Sequence, residues 1–395
     1  MTTATMTYGM RARERMPFAW DWTTVGLTAA LLLVGIIMVT SASMAVADKD
    51  FSNPFYFLER QFVFALCGVL LAWVASRIPS ELWHRYSLVL IILALAMLVL
   101  VLIPGLGARV NGARRWLRIG ILNFQVSELT KVLVLTWLCS YCVRKRAELE
   151  NTLPGLLKPF GVLAVSAVLL LAEPDFGAAT VLFATGFAVL FVAGARLRYV
   201  ALTVSAAASA FALLALASPY RLKRLLIFLH PFDDPFNGGF QLTGSLIAFG
   251  RGSWFGVGLG SSVQKLFYLP EAHTDFVFAV LAEELGLVGV IGVLALFVAL
   301  VWRAFRISRL AAEAGMRFQS YVALGFGVWL GVQAIVNIGV NMGVLPTKGL
   351  TLPLLSYGRS SLLVSLAWLG MLLRIYHEVK CGSRSAVMRI PKEAR

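Results

Sequence analysis

The chain has 395 residues, 35 of them Lys or Arg and 20 Asp or Glu, giving a formal charge of +15; charged residues make up 14% and apolar residues 59%, and the mean hydropathy is +0.81. Charge this scarce, against roughly 25% in ordinary soluble chains, excludes a single water-soluble globule, and the high apolar content excludes intrinsic disorder. Four cysteines exclude a disulfide scaffold, and the basic excess reads as the loop charge of a multi-pass membrane protein, with no nucleic acid as partner.

Apolar runs long enough to cross a bilayer, about 17 to 25 residues, recur at 24–44, 62–78, 86–104, 126–143, 158–173, 177–193, 198–217, 277–301, 319–343 and 357–376. They predict an all-α polytopic membrane protein of about ten transmembrane helices, with one long outer connection, 218–276, between the seventh and eighth. The first run follows Arg11, Arg13 and Arg15 and has no small-residue cleavage site, so it is expected to be a retained span. With the N-terminus inside, the inside segments hold 21 of the Lys and Arg residues and the outside segments 12. That bias places both termini in the cytoplasm. The expected organisation is a cytoplasmic segment 1–23, a membrane domain 24–376 and a cytoplasmic tail 377–395. Trp20, Trp22, Trp83 and Trp302 fall near span ends, where an interfacial aromatic belt belongs. No internal repeat of fixed period is visible.

Ionisable side chains at membrane depth cost at least about 2.5–3.5 kcal/mol unless paired or hydrated, which makes them candidates for function. Three clusters qualify, all toward the outer face. The first joins Asn111-Gly-Ala-Arg-Arg-Trp-Leu-Arg-Ile-Gly120 to Gln125-Val-Ser-Glu-Leu-Thr-Lys131. Glu128 and Lys131 share a helix face and can pair. Arg114, Arg115 and Arg118 run against the positive-inside trend, and their guanidinium forks suit phosphate oxygens. A purely structural ion pair, with arginines meeting lipid headgroups, explains the same residues.

The second cluster is Glu173-Pro-Asp-Phe-Gly177, a tight turn in which Asp175 is expected first of all to satisfy backbone groups. The third is the outer connection. It opens with Arg221-Leu-Lys-Arg224 and an apolar stretch to Leu229, an interfacial amphipathic helix by pattern. His230-Pro-Phe-Asp-Asp-Pro235 and a glycine-rich run follow, then Lys265 and Leu269-Pro-Glu-Ala-His-Thr-Asp-Phe276. Asp275 stands at the start of the eighth span, where a helix N-terminus favours a carboxylate, and Glu283 and Glu284 lie about two turns further on. A loop this long and apolar is expected to fold as a lid or re-entrant segment. Two look-alikes carry nothing. Gly256-Val-Gly-Leu-Gly260 follows no strand of a βαβ unit, and Cys139-Ser-Tyr-Cys142 lies inside a span without a second pair.

Taken together, Asn111–Trp116, Gln125–Lys131, Pro174–Gly177, Pro231–Gln241, Gly256–Phe276, Glu283–Gly286 and Asn341–Ser361 resemble the SEDS family of bacterial peptidoglycan glycosyltransferases, over nearly the whole chain. Gly349-Leu-Thr-Leu-Pro-Leu-Leu-Ser-Tyr-Gly358 after Pro346-Thr-Lys348 is similar to the cell-division branch, the FtsW type. Two positions depart from the family pattern: Val126 stands where proline is frequent, and Arg359 where glycine is.

The resemblance implies that lipid II, a disaccharide-pentapeptide on undecaprenyl pyrophosphate, is polymerised into β-1,4 glycan strands during septal wall synthesis, with inversion at the anomeric carbon. It places the general base, or the group that orients the acceptor hydroxyl, at Asp275. Arg114, Arg115 and Lys265 become candidates for pyrophosphate contact, Glu128 and Lys131 for lining the cavity, and Asp175, His273 and Ser356 for further substrate contacts. No cofactor is required by the sequence. A divalent cation, Mg or Mn, could bridge pyrophosphate and carboxylate, but no ligand spacing specifies one. The implied partners are a class B penicillin-binding protein and other division proteins of the inner membrane, at the septum, with the active site on the periplasmic side. A lipid II flippase and a non-catalytic division scaffold are the alternative readings. A transporter should show inverted repeats and a midplane site, whereas these ionisable groups gather at the outer face.

Overall fold

A computed structural model of the chain describes residues 17–110, 113–119, 122–216, 228, 231–233, 239–347 and 349–387. Helices occupy all ten predicted spans: α1 (Trp22–Phe51), α2 (Tyr56–Arg77), α4 (Ser87–Leu102), α5 (Val126–Arg144), α7 (Leu153–Ala172), α8 (Phe176–Val192), α9 (Leu197–Leu216), α11 (Val277–Glu313), α12 (Arg317–Asn341) and α13 (Arg359–Val387). The short helices α3 (Ser80–Arg85), α6 (Arg146–Asn151) and α10 (Phe240–Gly252) lie between them. Among the described residues seven helices are long and apolar enough to cross a membrane, and α4 and α8 are shorter apolar helices. The protein is a multi-pass membrane protein whose spans form an all-helical bundle. The expected amphipathic helix at 221–229 and His230 lie outside the described residues, apart from Phe228.

Hydropathy places the helices well but not their ends. The expected 158–173 span begins earlier, because Thr152 caps α7 by accepting the Gly155 N–H at 3.1 Å. Helices α11 and α13 continue about three turns past the predicted limits. Helix α5 is the hub, buried along almost its whole length and packed against α4, α8, α12 and α13.

The connection 104–125 is not an irregular loop. It forms a three-stranded antiparallel sheet, β1 (Gly107–Val110), β2 (Ala113–Ile119) and β3 (Leu122–Gln125), in the order β1-β2-β3. Val110 pairs with Ala113 and Ile119 with Leu122. The residues between these pairs are Asn111-Gly112 and Gly120-Ile121 in the sequence, the dipeptides that two-residue hairpins favour.

The segment entering α1 meets α11 and α13 at the opposite end of the bundle. The Ala19 N–H donates to His377 Nδ1 at 3.0 Å, and Arg303 grips Asp21 with two charge-assisted bonds of 2.8 and 2.6 Å. At the sheet end, α1 finishes beside the third cluster, with Lys49 over the Phe267 ring at 4.6 Å.

Helix α11 is broken at Gly286, whose φ of 64° and ψ of −164° leave the helical region. The segment after α10 supplies what the break removes. Val257 and Gly258 N–H donate to the carbonyls of Glu283 and Glu284 at 2.9 and 3.1 Å, and Leu287 and Val288 N–H donate to those of Ser253 and Trp254 at 2.9 and 3.1 Å. A Cβ at Gly256 would lie 2.1 Å from the Glu284 carbonyl oxygen, so only glycine allows this approach. The described part of the long connection, 239–276, is folded against α11, and the run Gly256–Gly260 serves docking of backbone on backbone.

Candidate active site

Asp275 ends the turn that leads into α11. Its carboxylate is half-buried, and no described residue hydrogen-bonds it. Burial pushes its pKa up to about 7; the Glu271 and Asp175 charges raise it too, while Arg115 opposes them. A carboxylate with open valences and a pKa near neutrality is equipped to accept a proton from a substrate hydroxyl. Across from it lies Gly349, where a Cβ would stand 3.1 Å from Asp275 Oδ2.

The sheet supplies the cations. The register of β1 against β2 slips between Ala108, which pairs with Trp116, and Arg109, which pairs with Arg114, so Arg115 is the extra residue of a β-bulge. Arg115 binds the α7–α8 turn, Nε donating to the Glu173 carbonyl at 3.1 Å and Nη2 to that of Pro174 at 2.6 Å. Arg114 is partly exposed and has no side-chain partner among the described residues. On that turn, Asp175 caps α8 through the Ala178 N–H at 3.0 Å and accepts the Ser127 hydroxyl at 2.9 Å. The expectation that Asp175 satisfies turn backbone holds, and its oxygens are occupied. Glu173 is fully buried, and neither carboxyl oxygen has a partner among the described residues. Burial, then the Asp175 charge, pushes its pKa up to about 9 against the pull of Arg115, so it is a neutral carboxylic acid at physiological pH.

Glu128 and Lys131 pair at 2.9 Å in the first turns of α5, both buried. Lys131 also donates to Gln333 Oε1 at 2.9 Å, and Gln333 Nε2 donates to the Thr351 carbonyl at 3.1 Å. The pair is thus tied to the segment beside Gly349. His273 gives its carbonyl to the Tyr357 N–H at 2.9 Å, and its ring packs 4.5 Å from Phe57. Burial lowers its pKa, which favours the neutral imidazole. Ser356 is buried, and its hydroxyl accepts the Leu352 N–H at 2.9 Å, fixing a turn.

Lys265 is where sequence reasoning misses. An ammonium has three N–H donors, and here they go to Glu284 Oε1 at 2.7 Å, Ser41 Oγ at 2.9 Å and the Gly260 carbonyl at 2.7 Å. None is left for a pyrophosphate. The broken helix brings Glu284 to it, which sequence spacing does not reveal. Also missed are the buried amides Gln333, Asn337 and Asn341. Their four-residue spacing within an apolar helix was the signal, since it puts all three on one face.

The family model for the FtsW, RodA and SpoVE cell cycle proteins matches residues 22–381. The chain belongs to that family. A relative from Thioalkalivibrio sulfidiphilus, named "Probable peptidoglycan glycosyltransferase FtsW", is 52% identical over 378 residues, 95% of this chain and 94% of that one. A relative of the same name from Coxiella burnetii is 48% identical over 94% of this chain and all of its own length. Among solved structures, one described as "Structural coordination of polymerization and crosslinking by a peptidoglycan synthase complex" superposes with a TM-score of 0.75 at 32% identity, covering 92% of this chain and 99% of that one. The rod shape determining protein RodA of Thermus thermophilus gives 0.66 at 31% identity, covering 91% and 97%.

Proposed function

We propose that this protein is the peptidoglycan glycosyltransferase of cell division, polymerising lipid II into β-1,4 glycan strands. Family membership at about half identity over nearly the full chain supports the reaction class. The observation that carries the mechanism is Asp275: a half-buried carboxylate with free valences, a pKa near neutrality and the Arg115 charge of the sheet near enough to act on it.

The 4-hydroxyl of the acceptor sugar attacks the anomeric carbon of a donor held in α linkage to undecaprenyl pyrophosphate. Asp275 takes the hydroxyl proton as the new bond forms. The bond from the anomeric carbon to the phosphate oxygen breaks, and its electron pair leaves with the pyrophosphate. One displacement inverts α to β, so no second carboxylate is needed as nucleophile. Arg114, and the guanidinium N–H groups of Arg115 not spent on the turn, face the negative charge that grows on the leaving group. Glu128 and Lys131 shape the floor beneath segment 349–351, and His273 and the Ser356 turn shape its rim.

No group of three or more His, Cys, Asp or Glu side chains placed to hold a metal occurs among the described residues. A divalent cation, Mg or Mn, would therefore take most of its oxygen ligands from the pyrophosphate, where it would supply further charge neutralisation. The Lys and Arg bias of the short loops supports cytoplasmic termini and an active site on the periplasmic side, and the division-type naming of the relatives supports the septum. A crosslinking partner, a class B penicillin-binding protein, follows from the likeness to the synthase complex.

The test is polymerisation of lipid II by purified Asp275→Asn. The variant should remain folded and membrane-inserted and form no glycan. Near-normal polymer would defeat the assignment.

A further inference from the structure

In a regular helix the carbonyl of Asp275 would accept the Ala279 N–H. It does not. Ala279 N–H goes to the Phe276 carbonyl at 3.0 Å and to Asn341 Oδ1 at 3.1 Å, so the first turn of α11 is capped from a neighbouring helix. The Asp275 carbonyl instead accepts two amide N–H groups, Asn337 Nδ2 and Asn341 Nδ2, each at 3.0 Å. Asn337 Nδ2 also reaches the Leu350 carbonyl at 2.5 Å, and the Asn341 carbonyl is held by the Ser245 hydroxyl at 2.6 Å. Both amides are buried, 1% and 0% exposed.

Burying two amides in an apolar bundle is costly unless every bond is made. Here their donors converge on one main-chain oxygen and on the segment that faces the same residue's carboxylate. Leu350 adjoins Gly349, the residue that leaves room for Asp275 Oδ2. One face of α12 therefore sets both the main chain of Asp275 and the wall opposite its side chain.

We propose that Asn337 and Asn341 are positioning residues of the polymerisation reaction, holding Asp275 by its carbonyl, with Gly349 providing the clearance its carboxylate needs. The proposal rests on the reading of Asp275 as the base. A displacement of about 1 Å at a reacting group is enough to cost on the order of a hundredfold in rate. The groups that bear on the Asp275 charge are Glu271 on its own loop, Asp175 on the α7–α8 turn and Arg115 on β2. The asparagines carry no charge, so a change in the pH profile of their variants reports a moved carboxylate.

The experiment compares full-length wild type, Asn337→Leu, Asn341→Leu, Gly349→Ala and Asp275→Asn with lipid II in proteoliposomes, with the rate followed against pH. Each leucine variant should lose about tenfold to a hundredfold in kcat with little change in KM. Its acid limb should move to lower pH as the loosened carboxylate gains water. Gly349→Ala should lose rate from the other side, with α12 untouched. If a leucine variant does not fold, Asn337→Ser and Asn341→Ser remove the amide with less disturbance and carry the same prediction. Folded variants with wild-type rate and acid limb would overturn the proposal, as would a lower rate with an unmoved limb. Full activity in Asp275→Asn would instead defeat the base assignment, whatever the asparagine variants do.

Discussion

Two clusters of buried charge lie along α11, about two turns apart, and they are built oppositely. At the break, Glu283 takes Arg251 at 3.0 Å, the Ser262 hydroxyl and the Val263 and Gln264 N–H groups at 3.1 and 3.3 Å. Glu284 takes Lys265 at 2.7 Å and Ser41 at 2.6 Å. Both glutamates are completely buried and fully bonded. At the head of the same helix, Asp275 is half-exposed and its carboxylate is unbonded among the described residues. In both places a charge is removed from water, at a cost that must be offset. At the break the offset is complete, and the result is a staple. At Asp275 only the main chain is held, and the carboxylate keeps its capacity to take a proton. What separates Asp275 from the two glutamates of the break is that its carboxylate keeps open valences at a partly exposed position.

Substitutions can break this comparison in a graded order. Asp275→Asn should show the largest effect on turnover, about 10²–10⁴-fold, the usual contribution of a general base, with little change in thermal stability. Lys265→Ala or Glu284→Ala should show the converse: about 3–5 kcal/mol of stability lost through an unpaired buried charge, read as a lower Tm. The double replacement Lys265→Met with Glu284→Leu should recover much of that stability, because apolar side chains can replace a buried pair. No partner change should rescue Asp275→Asn. Arg114→Ala should come next, weakening transition-state stabilisation by roughly 1.5–3 kcal/mol if one charged hydrogen bond to the leaving group is lost, read as a lower kcat/KM. Glu173→Gln should be the mildest. A neutral acid and an amide are close in shape, so the rate near pH 7 should stay close to wild type. With its pKa raised from the ordinary carboxylate value to about 9, the wild type should lose stability progressively as pH rises from the ordinary carboxylate range to about 9 and level off above it, because the unfolded chain releases the proton first. The glutamine variant should lack that decline in a melting series.

The helices were legible because twenty apolar residues in a row have few other uses, and each predicted span holds a helix. The sheet was less legible. Its strands are short, and its hairpin signals, Asn111-Gly112 and Gly120, sit in a segment read for its arginines. Asp275 and Arg115 were singled out by residue type and family pattern, whereas the partners of Lys265 were not legible because a cation's partner depends on where the chain breaks. Gly286 and Gly256, not any charge spacing, bring Glu284 to Lys265. The amide face of α12 could be read as a face; what it holds is visible only once α11 and segment 349–351 pack against it.

The pH dependence of wild-type kcat/KM tests the central claim most directly. A base raised to about 7 must be ionised to act, so the rate should fall as pH drops through 7 and lose about tenfold per pH unit below it. A rate that stays flat down to about pH 5, as an ordinary aspartate with a pKa of about 3.9 would give, would contradict the assignment of Asp275 as the desolvated base.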